Sequence, residues 1–342
     1  YTFAVYLILI FGISWNFYMI VIIVIFLFTL LTLVNLKGVK ESATFINVLV
    51  VIKFIILLLF IFLGIVFTLR KPNQMINNVG LNNESFYNIN IMGIILGSAC
   101  ILISYEGFQL IAYGAHEMED VEEGVNMMKW AVGISMLLYC LVGFTAIAVL
   151  GTSGLIGENV HDSEVAIAYA ALNFMGTYGM LIIIIGALLS TSSALNATIL
   201  GSSRLSYMMS KDKVLPKSLS KMSKNKVPYI SVIVTSVLSL IITIFTGGAL
   251  AIAGLASLIF AQIFFIINYT NFKVRKTTES NAFIPIIGMI LTAGIFIIYL
   301  TFSIIDIEHE IYALISFIIM ESATVFFVIH IKKKNLRTEN KA

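Results

Sequence analysis

The feature that most constrains this chain is a succession of nine apolar runs, at about residues 19–36, 42–69, 91–115, 130–151, 178–209, 229–247, 250–270, 283–304 and 309–331. A hydrocarbon core about 30 Å thick needs roughly 20 apolar residues at about 1.5 Å of helical rise each. Each run is long enough to cross, or nearly so. The chain of 342 residues is 59% hydrophobic and only 11% charged, which cannot furnish the polar skin of a soluble fold. That excludes a soluble enzyme. In lipid every backbone polar group must be bonded within the structure, and runs without period-two alternation favour helices over a barrel. The expected fold is an all-α integral membrane protein of about nine transmembrane helices, forming one domain over 1–342.

Charge decides sidedness. The net charge is only +3, so there is no broad cationic surface for nucleic acid. By location, 18 of the 21 Lys and Arg residues fall after alternate spans, in the groups around Lys37, Lys129, Arg204 to Lys226, Lys273 to Lys276 and Lys332 to Lys341. The opposite loops hold Arg70 and Lys71 alone, and Lys53 lies within a span. The positive-inside rule then predicts a multi-pass protein of the cell membrane with a cytoplasmic carboxyl terminus. The stretch Tyr1 to Ile13 is apolar but too short to cross alone, and it reads as a half helix or as the tail of a span whose start is missing. Thr152 to Asn173 is expected to be an outer loop, since it carries no Lys or Arg. Asn83-Glu84-Ser85 fits a glycosylation sequon, but so does Asn196-Ala197-Thr198 in mid-membrane, so the motif decides nothing.

Chemistry-bearing residues are few. Cys100 and Cys140 suggest neither a disulfide nor a metal site. His116, His161, His309 and His330 lack ligand spacing, and no nucleophile and base pair is apparent. The expectation is a non-enzyme without metal or cofactor. Against that background, the charges at bilayer depth stand out, because each costs several kcal/mol unless it has a partner, a cavity or a task.

Lys53 lies about 26 Å by helical rise from Arg70, too deep for its stem to reach either headgroup layer comfortably. It is read as an ammonium in a protein-lined crevice, serving as a cation surrogate or proton carrier, in preference to a snorkelling or structurally paired lysine. Glu106 sits within Ser104-Tyr105-Glu106-Gly107-Phe108-Gln109, in a span that also holds Gly93, Gly97 and Gly114. Glycine among polar neighbours predicts an interrupted helix whose exposed amides and carbonyls could hold a zwitterion, with close helix packing as the alternative. Ser190-Thr191-Ser192-Ser193 and Asn196 give the fifth run a hydroxyl face, which either bonds back to its own carbonyls or lines a hydrated path. Glu321, beside small residues in the last run, suits a contact between protomers in a homo-oligomer as well as a transport role, and is assigned none.

Four stretches together resemble the amino acid/polyamine/organocation transporter superfamily. Leu33-Val34-Asn35-Leu36-Lys37-Gly38-Val39-Lys40-Glu41-Ser42-Ala43, with Asn47 and Lys53, resembles the loop between its fourth and fifth spans. Tyr105 to Gln109 followed by Glu117-Met118-Glu119-Asp120 resembles its sixth span. Ser190 to Asn196, Ser203 to Tyr207, Leu215-Pro216 and Val227-Pro228 resemble its eighth span and the loop beyond. The later hydropathy matches four further spans. The resemblance implies an inverted-repeat transporter fold in which these nine spans are the fourth to twelfth, with the first three absent.

It further implies an amino acid substrate and secondary active transport by alternating access, without sodium, by proton coupling or exchange. On this resemblance Ile103, Tyr105, Glu106, Gly107, Phe108 and Gln109 are expected to meet the substrate, with Phe108 or Ile103 covering its side chain. Gln109 stands where relatives with cationic substrates carry an acid, which argues against polyamines. Lys53 matches a lysine placed where related carriers bind sodium, and Ser190 and Thr191 match the hydroxyl face beside it. Val121 and Asn126 depart from the family pattern, which has prolines there. A polyamine or other organocation carrier, or a non-transporting membrane receptor or subunit with the same fold, is the alternative reading.

Overall fold

The computed structural model describes residues 1–12, 16–37, 42–80, 93–94, 97–98, 101–105, 107–109, 120–156, 165–246, 249–279, 281–305, 315, 317–322 and 324. Long apolar windows rich in Leu, Ile, Val and Phe close into helices, because burying a bare backbone in lipid costs more than any propensity these residues lack. In order these are α1 (Thr2–Phe11), α2 (Phe17–Lys37), α3 (Ser42–Arg70), α4 (Pro72–Val79), α5 (Val121–Ile156), α6 (Ala166–Lys211), α7 (Tyr229–Thr246), α8 (Ala249–Thr278) and α9 (Phe283–Ile305). Short 3₁₀ turns stand at Leu102–Tyr105 and Lys217–Ser220. Among the described residues six helices are long and apolar enough to cross a membrane, and Tyr229–Phe245 is a shorter apolar one. The expected third and ninth spans fall largely outside the described residues.

The chain divides into two compact units, one comprising Tyr1–Ile89 with Gly107–Leu240, the other Asn90–Glu106 with Ile241–Ala342. In the first, α6 is the hub, packed by α1, α2, α3 and α5. One buried cluster joins Val5 and Tyr6 of α1, Phe60 and Ile61 of α3, Ala146 of α5, and Ala168, Ala171, Ile183 and Ile184 of α6. A second joins Ala4 and Ile8 to Ile20, Val24 and Phe28 of α2, and to Ile199, Val227 and Val232. In the other unit α8 packs along α9, with Leu258 and Tyr299 at the centre of their seam.

Two local outcomes differ from the sequence reading or refine it. The stretch expected to be an outer loop ends early, because α6 begins at Ala166. Ala166, Ala168, Ala170 and Ala171 are buried there, so alanine's high helix propensity is joined to a small-residue face that lets the helix approach its neighbours closely. α6 then bends at Gly176, where φ is 67°. α5 is broken at Gly151, where φ of 74° and ψ of 169° lie outside the helical region and the ladder is interrupted. Asn78 of α4 reaches this break and donates from Nδ2 to the carbonyls of Ala148 (3.0 Å) and Val149 (2.9 Å). A side-chain amide thus repairs backbone that lipid could not satisfy.

Close packing of α3 on α5 rests on Gly64, since a Cβ there would run into the Thr145 methyl. Thr145 is itself buried and its hydroxyl donates to Leu141 O at 2.7 Å. Gly64→Ala is expected to lower stability by about 1–3 kcal/mol through overpacking. A thermal unfolding scan of the purified protein checks this, with Gly143→Ala, where no atom lies within 4 Å of the added Cβ, as a control expected to unfold like the parent.

Candidate functional site

Two helices of the first unit, α3 and α2, converge on one face of α6. Lys53, half-buried on α3, donates from Nζ to Ser193 Oγ of α6 at 2.7 Å. The Ser193 hydroxyl in turn donates to the carbonyl of Ser190 at 3.1 Å. One turn further along, Asn35 of α2 donates from Nδ2 to Asn196 Oδ1 at 2.8 Å and to Leu31 O at 2.9 Å. Residues 193 and 196 are three apart, so they share a helical face. That face therefore binds α3 and α2 through two adjacent polar links.

The chemistry of the first link follows from its setting. An ammonium offers three donors and no acceptor, so it needs oxygen atoms around it. Ser193 supplies one, and by turning its own hydrogen toward Ser190 O it presents a lone pair to the lysine. A hydrogen bond to a charged group is worth about 1.5–3 kcal/mol, more than one between neutral groups.

The predicted coupling residues are distributed as follows. Ser190 joins the network by its carbonyl oxygen, while its side chain is exposed. Thr191 turns away: its hydroxyl donates to Ala187 O at 2.8 Å and Leu188 O at 3.3 Å, the back-bonding that hydroxyls in apolar helices commonly make. Ser193 takes the direct contact. It was within the expected hydroxyl face, one turn beyond the residue singled out. The Asn35–Asn196 link was not anticipated; the available signal was an amide at the end of one apolar run and another on the polar face of a second.

The stretch around Gly107 is interrupted. Residues 102–105 form a 3₁₀ turn, and Gly107 stands in a turn with φ of 130°, a region that only glycine occupies without strain. Gln109 accepts the Gly107 N–H on Oε1 at 2.8 Å, satisfying a donor that the break releases. Phe108 and Gln109 are half-buried, as is Tyr105. The side chain of Ile103 and all of Glu106 lie outside the described residues. Glu321 is half-buried in a helical turn at 317–322.

The model of the amino acid permease family matches residues 1–336, nearly the whole chain. The chain belongs to that family. It is 30% identical to an uncharacterized protein of Methanocaldococcus jannaschii over 91% of its own length and 67% of the relative's. It is 28% identical to the methylthioribose transporter of Bacillus subtilis, covering 78% of the chain and 56% of that protein. With the branched-chain amino acid permease BcaP of the same organism it shares 26% identity, over 57% of the chain and 39% of the relative. The chain thus spans between about two fifths and two thirds of these relatives.

If the Asn35–Asn196 amides couple α2 to α6, Asn35→Ala and Asn196→Ala should each cost about 1–2 kcal/mol, and the double variant less than their sum. Unfolding of the four proteins in one detergent gives the cycle. Strict additivity would mean that the two amides do not act together.

Proposed function

We propose that the protein carrying this chain is a secondary transporter that moves amino acids across the cell membrane by alternating access, without sodium, driven by protons or by exchange. The observation that carries this reading is the Lys53–Ser193 hydrogen bond, which fixes a cation between two helices at mid-depth. A fixed ammonium supplies the positive charge that a bound metal ion would otherwise bring, and a lysine that gains or loses its proton can change how tightly its helix is held.

The interrupted backbone at Gly107 supports a substrate site there, because carbonyls released from a helical ladder can accept from the ammonium of a zwitterion. In this reading Tyr105, Gly107, Phe108 and Gln109, with Ile103 and Glu106, line that site. Gln109 favours amino acids over polyamines, since a neutral amide already engaged with Gly107 N offers no counter-charge. The family description points the same way, as does a relative named for branched-chain amino acids. Another relative is named for methylthioribose, so uptake of a polar, uncharged thioether sugar is a useful comparison substrate. The lysine-poor loops then face outward and the carboxyl terminus lies in the cytoplasm, by the distribution of cations.

Uptake by the intact protein in sealed vesicles tests this. Transport of an amino acid should vary with pH and be unaffected when sodium is replaced by choline, and Lys53→Ala should flatten the pH profile. Ser193→Ala should reduce uptake by roughly tenfold or more, as expected for losing a hydrogen bond to a charged group, and Ser190→Ala should have much less effect because its carbonyl is retained. No flux of any amino acid would make this a non-transporting member of its family. An unchanged pH profile in Lys53→Ala would remove the lysine from coupling.

A further inference from the structure

We infer that the junction of α2 and α7 is a binding site for an anionic phospholipid of the inner leaflet, its headgroup held by Lys37, Lys224 and Lys226 and one acyl chain laid in the groove below. This site is separate from the Lys53 network and does not depend on it.

The headgroup end is fixed by backbone chemistry. α2 is 21 residues long and Lys37 is its last and only charged residue, so a helix of roughly 30 Å places that lysine at the edge of the hydrocarbon. Asn225 donates from Nδ2 to the Lys37 carbonyl at 2.8 Å. Lys224 and Lys226 flank Asn225, with Cα atoms about 3.8 Å on either side of it. Three exposed lysines therefore gather at headgroup depth.

The turn that carries two of them is built rather than loose. Ser223 N donates to Val227 O at 2.8 Å, Lys226 N to Ser223 O at 3.0 Å, and Val227 N to Ser223 Oγ at 3.3 Å. Lys226 has φ of 58°, a conformation that a lysine holds only where its surroundings impose it. Ser231 Oγ donates to Leu219 O at 2.9 Å, tying the preceding 3₁₀ turn to the start of α7. Lys211, Lys213, Lys217 and Lys221 extend the same cationic segment, in which Asp212 is the sole acid between Lys211 and Lys226. Juxtamembrane lysine clusters of this density attract anionic headgroups.

The groove supplies the second, independent observation. Phe28, Thr29, Thr32 and Leu33 of α2 face Ile233, Ser236, Val237 and Leu240 of α7 around a cleft of about 170 Å³. Leu33 lies about 6 Å and Phe28 about 14 Å below Lys37 by helical rise; Ile233 and Leu240 lie about 6 and 16 Å beyond Tyr229. Both helices thus put the cleft directly under the lysines, at acyl-chain depth. Thr29 and Thr32 bond back to Ile25 O and Phe28 O, so the lining is largely hydrocarbon. A headgroup cluster above and an apolar channel beneath describe one amphiphile.

The test is retention of phosphatidylglycerol by the intact purified protein, read by native mass spectrometry and by the rise in unfolding temperature that the lipid gives over phosphatidylcholine alone. The parent should retain phosphatidylglycerol and be stabilised by it. Lys37→Gln/Lys224→Gln/Lys226→Gln should bind it on the order of a hundredfold more weakly, each lysine contributing about fivefold. Val237→Phe, at a position 47% exposed and so free of overpacking, should fill the cleft and weaken retention with all the lysines in place. Lys273→Gln/Lys276→Gln should behave as the parent, and the triple Lys→Arg variant should retain the lipid whether or not the glutamine variant folds well. Equal retention by the glutamine and parent proteins would overturn the proposal. So would equal stabilisation by soluble glycerol phosphate, which would mark a phosphate site without a chain, or occupation of the cleft by a second copy, seen as a Val237→Cys crosslink between protomers.

Discussion

The cost of holding an ammonium among apolar helices organises the first unit. Lys53 sits in an apolar helix and needs an oxygen atom beside it, and Ser193 Oγ of α6 supplies one, which links α3 to α6 at this point. The packing around them follows. Phe60, two turns along α3, is fully buried against the same helix pair, and Gly186 of α6 brings its backbone close to Ile56. Asn35 and Asn196 repeat the arrangement one turn away with neutral amides, the Asn35 Nδ2 donating to Asn196 Oδ1 and to Leu31 O.

Several polar groups elsewhere in the structure find partners in the same way. Where a helix is broken, a side-chain amide arrives: Asn78 at Gly151 and Gln109 at Gly107. Where a helix is intact, hydroxyls of Thr29, Thr32, Thr191 and Thr198 fold back on their own carbonyls and trouble no neighbour. The difference separates residues that shape the protein from those that merely sit in it. Asparagine and glutamine, with a rigid donor and acceptor pair, repair backbone; serine and threonine mostly satisfy themselves.

Much of this was legible in the chain. Apolar windows fix helices because lipid leaves no other way to satisfy a backbone, and six of the runs that hydropathy marks lie inside α2, α3, α5, α6, α8 and α9, which extend beyond them. The helix start at Ala166 was not legible, since a loop and an alanine-rich helix differ there by packing against α1 and α5 that only the fold supplies. Gly107 could be recognised as a break from its glycine and polar neighbours. Which serine meets Lys53 could not, because residues 190 and 193 lie on the same face and their choice depends on the rotation and height of α3 against α6. The docking of Asn225 on the end of α2 was hidden for a related reason: 188 residues separate the partners, and neither belongs to a periodic pattern.

The bend at Gly176 also makes α6 a lever. From Thr177 to Lys211 the helix is roughly 50 Å long, well beyond the thickness of the hydrocarbon layer. A swing of about 5° at the glycine would carry Lys211 about 4 Å, and the basic segment attached to it would travel along, while Ser193 near the middle would move about half as far. Small rotations at Gly176 are thereby magnified toward Lys211, and a load on that end would be felt at Ser193 and the lysine it holds.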